Sequence, residues 1–213
     1  MNRDERGIEL MNNDSISNRD CPVKNSGRGG LILAVGDSLT AGYGVAADET
    51  YPALLERKLR EAGHDWRVVN AGVNGEKSGE LLARIGWILS QQPDIVILQT
   101  GTNDGLRGIS PVEMKGNIEA IVRTLSEHGV TVVLADMENL KPRKGEYDML
   151  FASVYPEIAR EQDVILIPLF LAGVAGKPEL NRADGIHPTA EGYRIVVENV
   201  WPFVVEAIGR RAR

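Results

Sequence analysis

Apolar residues are concentrated in five short runs, and longer segments of mixed polarity separate one run from the next. The runs are rich in β-branched residues and nearly continuous rather than alternating, which is typical of parallel strands covered on both faces. The predicted strands are Leu31–Val35, Arg67–Val69, Ile95–Gln99, Thr131–Ala135 and Val164–Ile167.

In the segments between and after these runs, apolar residues recur three or four positions apart, which predicts amphipathic helices. The predicted helices are Tyr51–Ala62, Ser78–Ser90, Ser110–Glu127, Tyr147–Gln162 and Ala190–Ile208. Strand and helix alternate five times, and such an order favours right-handed crossovers between parallel strands. We therefore predict an α/β fold, a three-layer α/β/α sandwich around a five-stranded parallel sheet.

Residues 1–29 do not share this pattern, because they are polar, carry charges of both signs and lack an apolar period. We expect them to form a poorly ordered arm before one domain over residues 30–213. The chain has 213 residues, of which 43% are hydrophobic, enough for one sizeable core. The single cysteine, Cys21, excludes an internal disulfide and is interpreted as incidental.

The formal net charge of −6 argues against a nucleic-acid partner, since phosphate backbones attract basic surfaces. No stretch approaches the roughly 20 apolar residues of an integral membrane segment. The first thirty residues also lack the apolar core of a signal peptide, which predicts a cytoplasmic protein as written. A periplasmic or secreted location is the alternative if the N-terminus is incomplete, and a homo-oligomer remains open.

Polar, glycine-containing segments follow four of the predicted strands. In parallel sheets, binding and catalytic sites form at the carboxyl ends of the strands, so these segments are expected to meet at one edge. They are Gly36–Thr40, Asn70–Gly75, Thr100–Gly105 and Asp184–Pro188.

Two of these segments supply the residues of a nucleophilic site. Ser38 is the candidate nucleophile, and it needs a base within hydrogen-bond reach because a hydroxyl alone is a weak nucleophile. His187 is the one histidine of three that falls at the predicted edge, and Asp184 is placed to orient its ring. A turn serine, a solvated histidine and a turn aspartate are the alternative interpretations.

Acyl transfer also requires donors for the negative charge that develops on the carbonyl oxygen. Three candidates lie at the predicted edge: the backbone N–H of Ser38, the backbone N–H of Gly75 and the side-chain amide of Asn103. Gly75 in a plain turn and Asn103 as a loop cap are the alternatives.

Together these segments resemble the SGNH superfamily of GDSL hydrolases. The matching blocks are Gly36-Asp37-Ser38-Leu39, Gly101-Thr102-Asn103-Asp104 and Asp184-Gly185-Ile186-His187-Pro188. The resemblance runs from about Leu31 to near the C-terminus, and it is greatest to small bacterial enzymes of the thioesterase I, protease I and lysophospholipase L1 type and to related arylesterases. The family's donor glycine fits Gly75, which opens the run Gly75-Glu76-Lys77-Ser78, and Gly72 is the alternative.

The resemblance implies a flavodoxin-like sheet, no metal, no organic cofactor and a small-molecule ester as substrate. It implies that the segment 104–109 moves over the acyl group and that the loop 137–146 lines the acyl pocket. The residues expected to contact substrate are Asp37, Leu39, Leu106, Ile109 and Ile186.

The predicted function is a serine esterase acting through an acyl-enzyme on Ser38. Short- to medium-chain acyl or aryl esters are the expected substrates, with acyl thioesters and lysophospholipids also open. The alternatives are a carbohydrate O-deacetylase or an acyltransferase on the same scaffold. A non-catalytic binding module is disfavoured, because no member of the candidate triad is missing.

Overall fold

The computed structural model of the protein describes residues 29–211. Its sheet contains five parallel strands in the order β2-β1-β3-β4-β5. The strands are β1 (Leu31–Gly36), β2 (Arg67–Gly72), β3 (Ile95–Leu98), β4 (Thr131–Ala135) and β5 (Ile165–Ile167). This order is that of flavodoxin-like folds, with the strand order reversing between β1 and β3. The predicted fold class is confirmed.

Eight α-helices and one short 3₁₀ helix, Ala47–Glu49, connect and cover the described strands. The α-helices are α1 (Ser38–Ala41), α2 (Tyr51–Glu61), α3 (Ser78–Ala83), α4 (Ile85–Ser90), α5 (Thr102–Arg107), α6 (Pro111–Glu127), α7 (Glu146–Gln162) and α8 (Ala190–Arg211). Helix α2 packs with α8, whereas α6 packs with α3, α4 and α7. The sheet therefore has a helical layer on each face.

The core forms where these two layers meet the sheet. Consecutive residues of β1, such as Ile32 and Leu33, are both fully buried although their side chains point to opposite faces. This explains the continuous apolar runs of the central strands, since both faces of these strands are covered, whereas Arg67 and Asn70 of the edge strand β2 are exposed.

Three details differ from the sequence-based expectations. The predicted single helix over Ser78–Ser90 is wrong, because it is interrupted at Arg84 and forms α3 and α4. Strand β2 continues to Gly72, three residues beyond its predicted end. Two predicted loops contain the short helices α1 and α5. The predicted arm and Cys21 lie outside the described residues, apart from Gly29.

Candidate active site

Ser38 is the first residue of α1, two residues after the end of β1. Asp37 caps this helix, because its Oδ1 accepts the N–H of Leu39 at 2.9 Å. The first N–H groups of a helix have no carbonyl partner within the helix. None of the hydrogen bonds among residues 29–211 uses the N–H of Ser38. Helix α1 therefore presents both the hydroxyl and the backbone N–H of one serine.

The structure brings the three predicted catalytic residues into one chain of hydrogen bonds. The Ser38 Oγ lies 2.8 Å from His187 Nε2, and His187 Nδ1 lies 2.9 Å from Asp184 Oδ2. The other oxygen, Asp184 Oδ1, accepts the backbone N–H groups of Ile186 and His187 at 2.9 and 3.0 Å. One carboxylate thus holds both the ring and the backbone of the histidine.

These hydrogen bonds also stabilise the negative charge of Asp184. The backbone N–H of His187 is the largest influence that lowers the pKa of this carboxyl, to about 2. Asp184 is therefore ionised near neutral pH, and its Oδ2 can accept a hydrogen bond from the Nδ1–H of His187. In the tautomer whose proton is on Nδ1, Nε2 is the ring nitrogen that can accept a hydrogen bond from the Ser38 hydroxyl.

Asn103, on α5, connects the two segments that contain the other candidate donors. Its Nδ2 donates to Asp37 Oδ2 at 3.3 Å and to the carbonyl oxygen of Glu76 at 3.1 Å. Asp37 precedes Ser38, and Glu76 follows Gly75. The three candidate oxyanion donors, Ser38, Gly75 and Asn103, therefore belong to adjoining segments.

The structure separates the two candidate glycines. The N–H of Gly72 is bonded to Asn70 Oδ1 at 3.0 Å, and a Cβ on Gly72 would lie 2.2 Å from the backbone nitrogen of Ala41. Gly72 thus allows β2 to pack closely against α1. None of the hydrogen bonds among residues 29–211 uses the N–H of Gly75, which favours Gly75 as the donor.

Two networks that sequence reasoning missed hold the Gly75 loop, the first partly buried and the second buried. Arg84 binds Glu76 through two hydrogen bonds of 2.6 and 2.7 Å and also donates to the Ala71 carbonyl. Asp104 accepts the Ser78 N–H at 2.9 Å and the Ser78 hydroxyl at 2.6 Å. The motifs contained Glu76, Ser78 and Asp104, but their spacing does not reveal which side chains pair.

Two of the five residues predicted to contact substrate do not present a side chain to it. Asp37 is 1% exposed and Leu39 is fully buried, so both belong to the interior. Burial raises the pKa of Asp37 to about 6, against the opposing effect of its hydrogen bonds from Leu39, Gln99 and Thr102. Leu106, Ile109 and Ile186 are half-buried and remain candidates for substrate contact.

The loop after β4, predicted to line the acyl pocket, divides into two parts. Met137 and Glu138 line a pocket of about 230 Å³ together with residues 169–173 and 175. Farther along, Asn139 Nδ2 donates to Asp148 at 2.7 Å, and the Arg143 guanidinium lies against Gly108. The second part thus packs against the segment that contains Asn103.

Comparison with known proteins identifies the family of the chain. Residues 34–195 match the GDSL-like lipase/acylhydrolase family. The esterase TesA of Pseudomonas aeruginosa is 37% identical over 173 residues, which cover 80% of this chain and 86% of TesA. The arylesterase of Vibrio mimicus is 37% identical over 79% of this chain and 85% of its own. Thioesterase 1/protease 1/lysophospholipase L1 of Escherichia coli K12 is 34% identical over 78% of this chain and 79% of its own.

Solved structures give the same result. TesA superposes with a TM-score of 0.79 at 36% identity, covering 83% of this chain and 99% of TesA. AlinE4, an SGNH-hydrolase family esterase, gives 0.71 at 38% identity, covering 85% and 97%. Within residues 29–211, no helix is long and apolar enough to cross a membrane. The chain belongs to the GDSL-like lipase/acylhydrolase family, as its motifs predicted.

Proposed function

We propose that this protein is a serine ester hydrolase with Ser38 as its nucleophile, His187 as its general base and acid, and Asp184 as the residue that orients the histidine. The observation that carries the proposal is the hydrogen-bonded series Ser38 Oγ, His187 Nε2, His187 Nδ1 and Asp184 Oδ2, with contacts of 2.8 and 2.9 Å. A serine bonded to a base, with the base bonded to a third group, is the arrangement that nucleophilic catalysis requires.

The first half of the reaction forms an acyl-enzyme. His187 Nε2 accepts the Ser38 proton while Oγ attacks the carbonyl carbon of the ester. The resulting imidazolium keeps its bond to the ionised Asp184. When the tetrahedral intermediate collapses, the bond to the leaving oxygen breaks, and His187 donates its proton to that oxygen.

The oxyanion of the intermediate would be held by the N–H groups of Ser38 and Gly75 and by the Asn103 amide. Both Nδ2 protons of Asn103 are bonded to protein acceptors in this structure. The 3.3 Å bond to Asp37 is the longer of the two and is the one we expect the oxyanion to replace. Each such donor lowers the barrier by about 3 kcal/mol in well-studied hydrolases.

The second half releases the acid. Water enters where the leaving group departed, His187 accepts its proton, and the hydroxide oxygen attacks the acyl carbon. Collapse breaks the bond to Ser38 Oγ, which recovers its proton from His187. The half-buried apolar residues Leu106, Ile109 and Ile186 are proposed to contact the substrate.

The test is hydrolysis of p-nitrophenyl esters from acetate to palmitate by the wild type and by Ser38→Ala. We expect the substitution to lower kcat by at least about a thousandfold, because covalent catalysis is lost while binding remains. Ser90→Ala is the matched control, since Ser90 is exposed and its hydroxyl donates only to Trp87 O at 2.7 Å. The proposal fails if Ser38→Ala keeps most of the rate.

A further inference from the structure

Tyr43 touches both parts of the proposed catalytic pair. Its ring lies against the His187 imidazole, with centroids 4.8 Å apart and planes inclined at 51°. Its backbone N–H donates to the carbonyl oxygen of Ser38 at 3.0 Å. Tyr43 is thus bound by its backbone to the nucleophile and by its ring to the base, two residues that are 149 positions apart in the chain.

Arg182 also connects the two segments, but it belongs to the segment that contains His187. Its backbone N–H donates to the carbonyl oxygen of His187 at 2.8 Å. Its Nη1 reaches across to the carbonyl oxygen of Gly44 at 2.6 Å, and its Cζ lies 5.8 Å from the centre of the Tyr43 ring. A guanidinium at this distance is attracted to the face of an aromatic ring.

The backbone conformation of Gly44 permits this contact. Its φ is +87°, a conformation that side-chain-bearing residues rarely adopt, and a Cβ there would lie 2.3 Å from Arg182 Cζ. The guanidinium can therefore rest on the backbone at residue 44 only because that residue is a glycine.

The segment that contains His187 needs such a support. His187 lies between β5 and α8 in turns, and the Asp184 side chain is 37% exposed. The bonds from Asp184 to Ile186 and His187 fix this turn internally but do not attach it to Ser38. A further bond, from the Tyr193 hydroxyl to Leu39 O at 2.9 Å, anchors α8 six residues later.

We propose that Tyr43, Gly44 and Arg182 form a clasp that holds the His187 ring in line with the Ser38 hydroxyl. The inference rests on the proposed function, and it makes Tyr43 and Arg182 positioning residues. Tyr43 limits the tilt of the imidazole. Arg182 holds the Tyr43 ring and the His187 backbone at a fixed position relative to α1.

The clasp predicts a specific kinetic pattern. Misplacing a catalytic group slows the chemical steps and leaves substrate contacts made elsewhere intact. The effect should be larger for alkyl esters than for p-nitrophenyl esters, because an alkoxide leaves only with a proton from His187, whereas p-nitrophenolate leaves without one. A general loss of folded protein would lower both rates equally.

The test compares Tyr43→Ala, Tyr43→Phe and Arg182→Ala with the wild type on p-nitrophenyl butyrate and ethyl butyrate. Tyr43→Ala should lower kcat for the p-nitrophenyl ester about tenfold to a hundredfold, with a larger loss for the ethyl ester. Tyr43→Phe keeps the ring and should stay within about twofold of the wild type. Arg182→Ala should fall between these variants, with KM little changed in each.

Arg60→Ala is the matched control for Arg182→Ala, since the Arg60 side chain is 73% exposed and its guanidinium pairs with Glu56 on α2 at 2.9 Å. It should leave both rates unchanged. The clasp is overturned if Tyr43→Ala and Arg182→Ala keep the wild-type kcat, if Tyr43→Phe loses as much activity as Tyr43→Ala, or if kcat falls equally for the two esters.

Ser38→Ala, measured alongside, distinguishes failure of the clasp from failure of the proposed function. A fully active Ser38→Ala overturns the proposed function and the clasp together. An inactive Ser38→Ala beside an active Tyr43→Ala overturns the clasp alone.

Discussion

Two aspartates of the site have opposite environments and opposite pKa shifts. Asp37, beside the proposed nucleophile, is 1% exposed, and burial raises its pKa to about 6. Asp184, beside the proposed base, has a side chain that is 37% exposed, and the backbone N–H of His187 is the main influence that lowers its pKa to about 2. The proposed nucleophile thus lies beside a buried residue of the core, whereas the proposed base lies in a turn at the surface.

This difference indicates how the two halves of the site are maintained. On the Ser38 side, the surrounding residues are also part of the fold, so substitutions should affect stability and catalysis together. On the His187 side, the turn and the clasp lie at the surface, so substitutions should affect catalysis with little change in stability.

The largest effect is expected for His187→Ala. Loss of the proposed base should lower kcat/KM by about ten-thousandfold, because the serine hydroxyl then has no partner to accept its proton. The free energy of unfolding should change by less than about 1 kcal/mol, since the residue lies on an exposed turn. Ester hydrolysis and urea unfolding of the same preparation measure both quantities. A residual rate within tenfold of the wild type would mean that another group serves as the base.

Asn103→Ala should come next, with a loss of about a hundredfold to a thousandfold in kcat for one missing oxyanion donor. KM should change little, because the amide is expected to bind the transition state more strongly than the ester. Steady-state kinetics on p-nitrophenyl butyrate distinguish the two parameters. A rise in KM at constant kcat would instead make Asn103 a ground-state binding residue.

Asp104→Ala tests the buried side through stability. It removes the acceptor of two buried Ser78 hydrogen bonds and should lower the free energy of unfolding by about 2–4 kcal/mol. Asp184→Ala is the matched control on the exposed side and should cost about 1 kcal/mol or less. Urea unfolding of both variants gives the comparison. Equal losses would show that the two sides do not differ as described.

The remaining effect, similar in size to that of Asp104→Ala, is the dependence of stability on pH. The pKa of Asp37 is about 6 in the folded protein against an ordinary 3.8, so folding favours its protonated form. Its contribution to stability is therefore fully present below pH 4 and is lost as pH rises through 6, a change of about 3 kcal/mol. Asp37→Asn removes this dependence, so the variant should gain stability relative to the wild type between pH 4 and 7.

Urea unfolding at several pH values checks this prediction. Asp136, whose pKa burial also raises to about 6, is present in both proteins and cancels in the comparison. A stability difference that stays constant from pH 4 to 7 would show that Asp37 does not titrate in this range.

Much of the fold could be predicted from the sequence, because the central strands are nearly continuous apolar runs and both of their faces are covered. The break at Arg84 was not, since Leu81, Leu82, Ile85 and Ile88 keep a helical spacing across it. Its guanidinium turns inward to Glu76 and the Ala71 carbonyl, and no local pattern encodes those distant partners.

The site could be predicted from the sequence to a similar extent. Ser38, Asn103, Asp184 and His187 occur in motifs at strand ends, and the topology of a parallel sheet brings such ends together. Asp37 and Leu39 were misplaced, because a motif gives the position of a residue in the chain and not the direction of its side chain. Tyr43 and Arg182 escaped notice as partners, since they are 139 positions apart.

The most direct test of the central claim is covalent labelling of the nucleophile. A fluorophosphonate reacts with a serine hydroxyl that an adjacent base activates, because the serine oxygen then attacks phosphorus and displaces fluoride. An ethyl fluorophosphonate should react once with this protein, and tryptic mapping should place the adduct on the peptide 29–57, whose single serine is Ser38. Ser38→Ala should not be labelled, and His187→Ala should be labelled far more slowly. An adduct on another peptide, or equal labelling of Ser38→Ala, would contradict the assignment of Ser38 as the nucleophile.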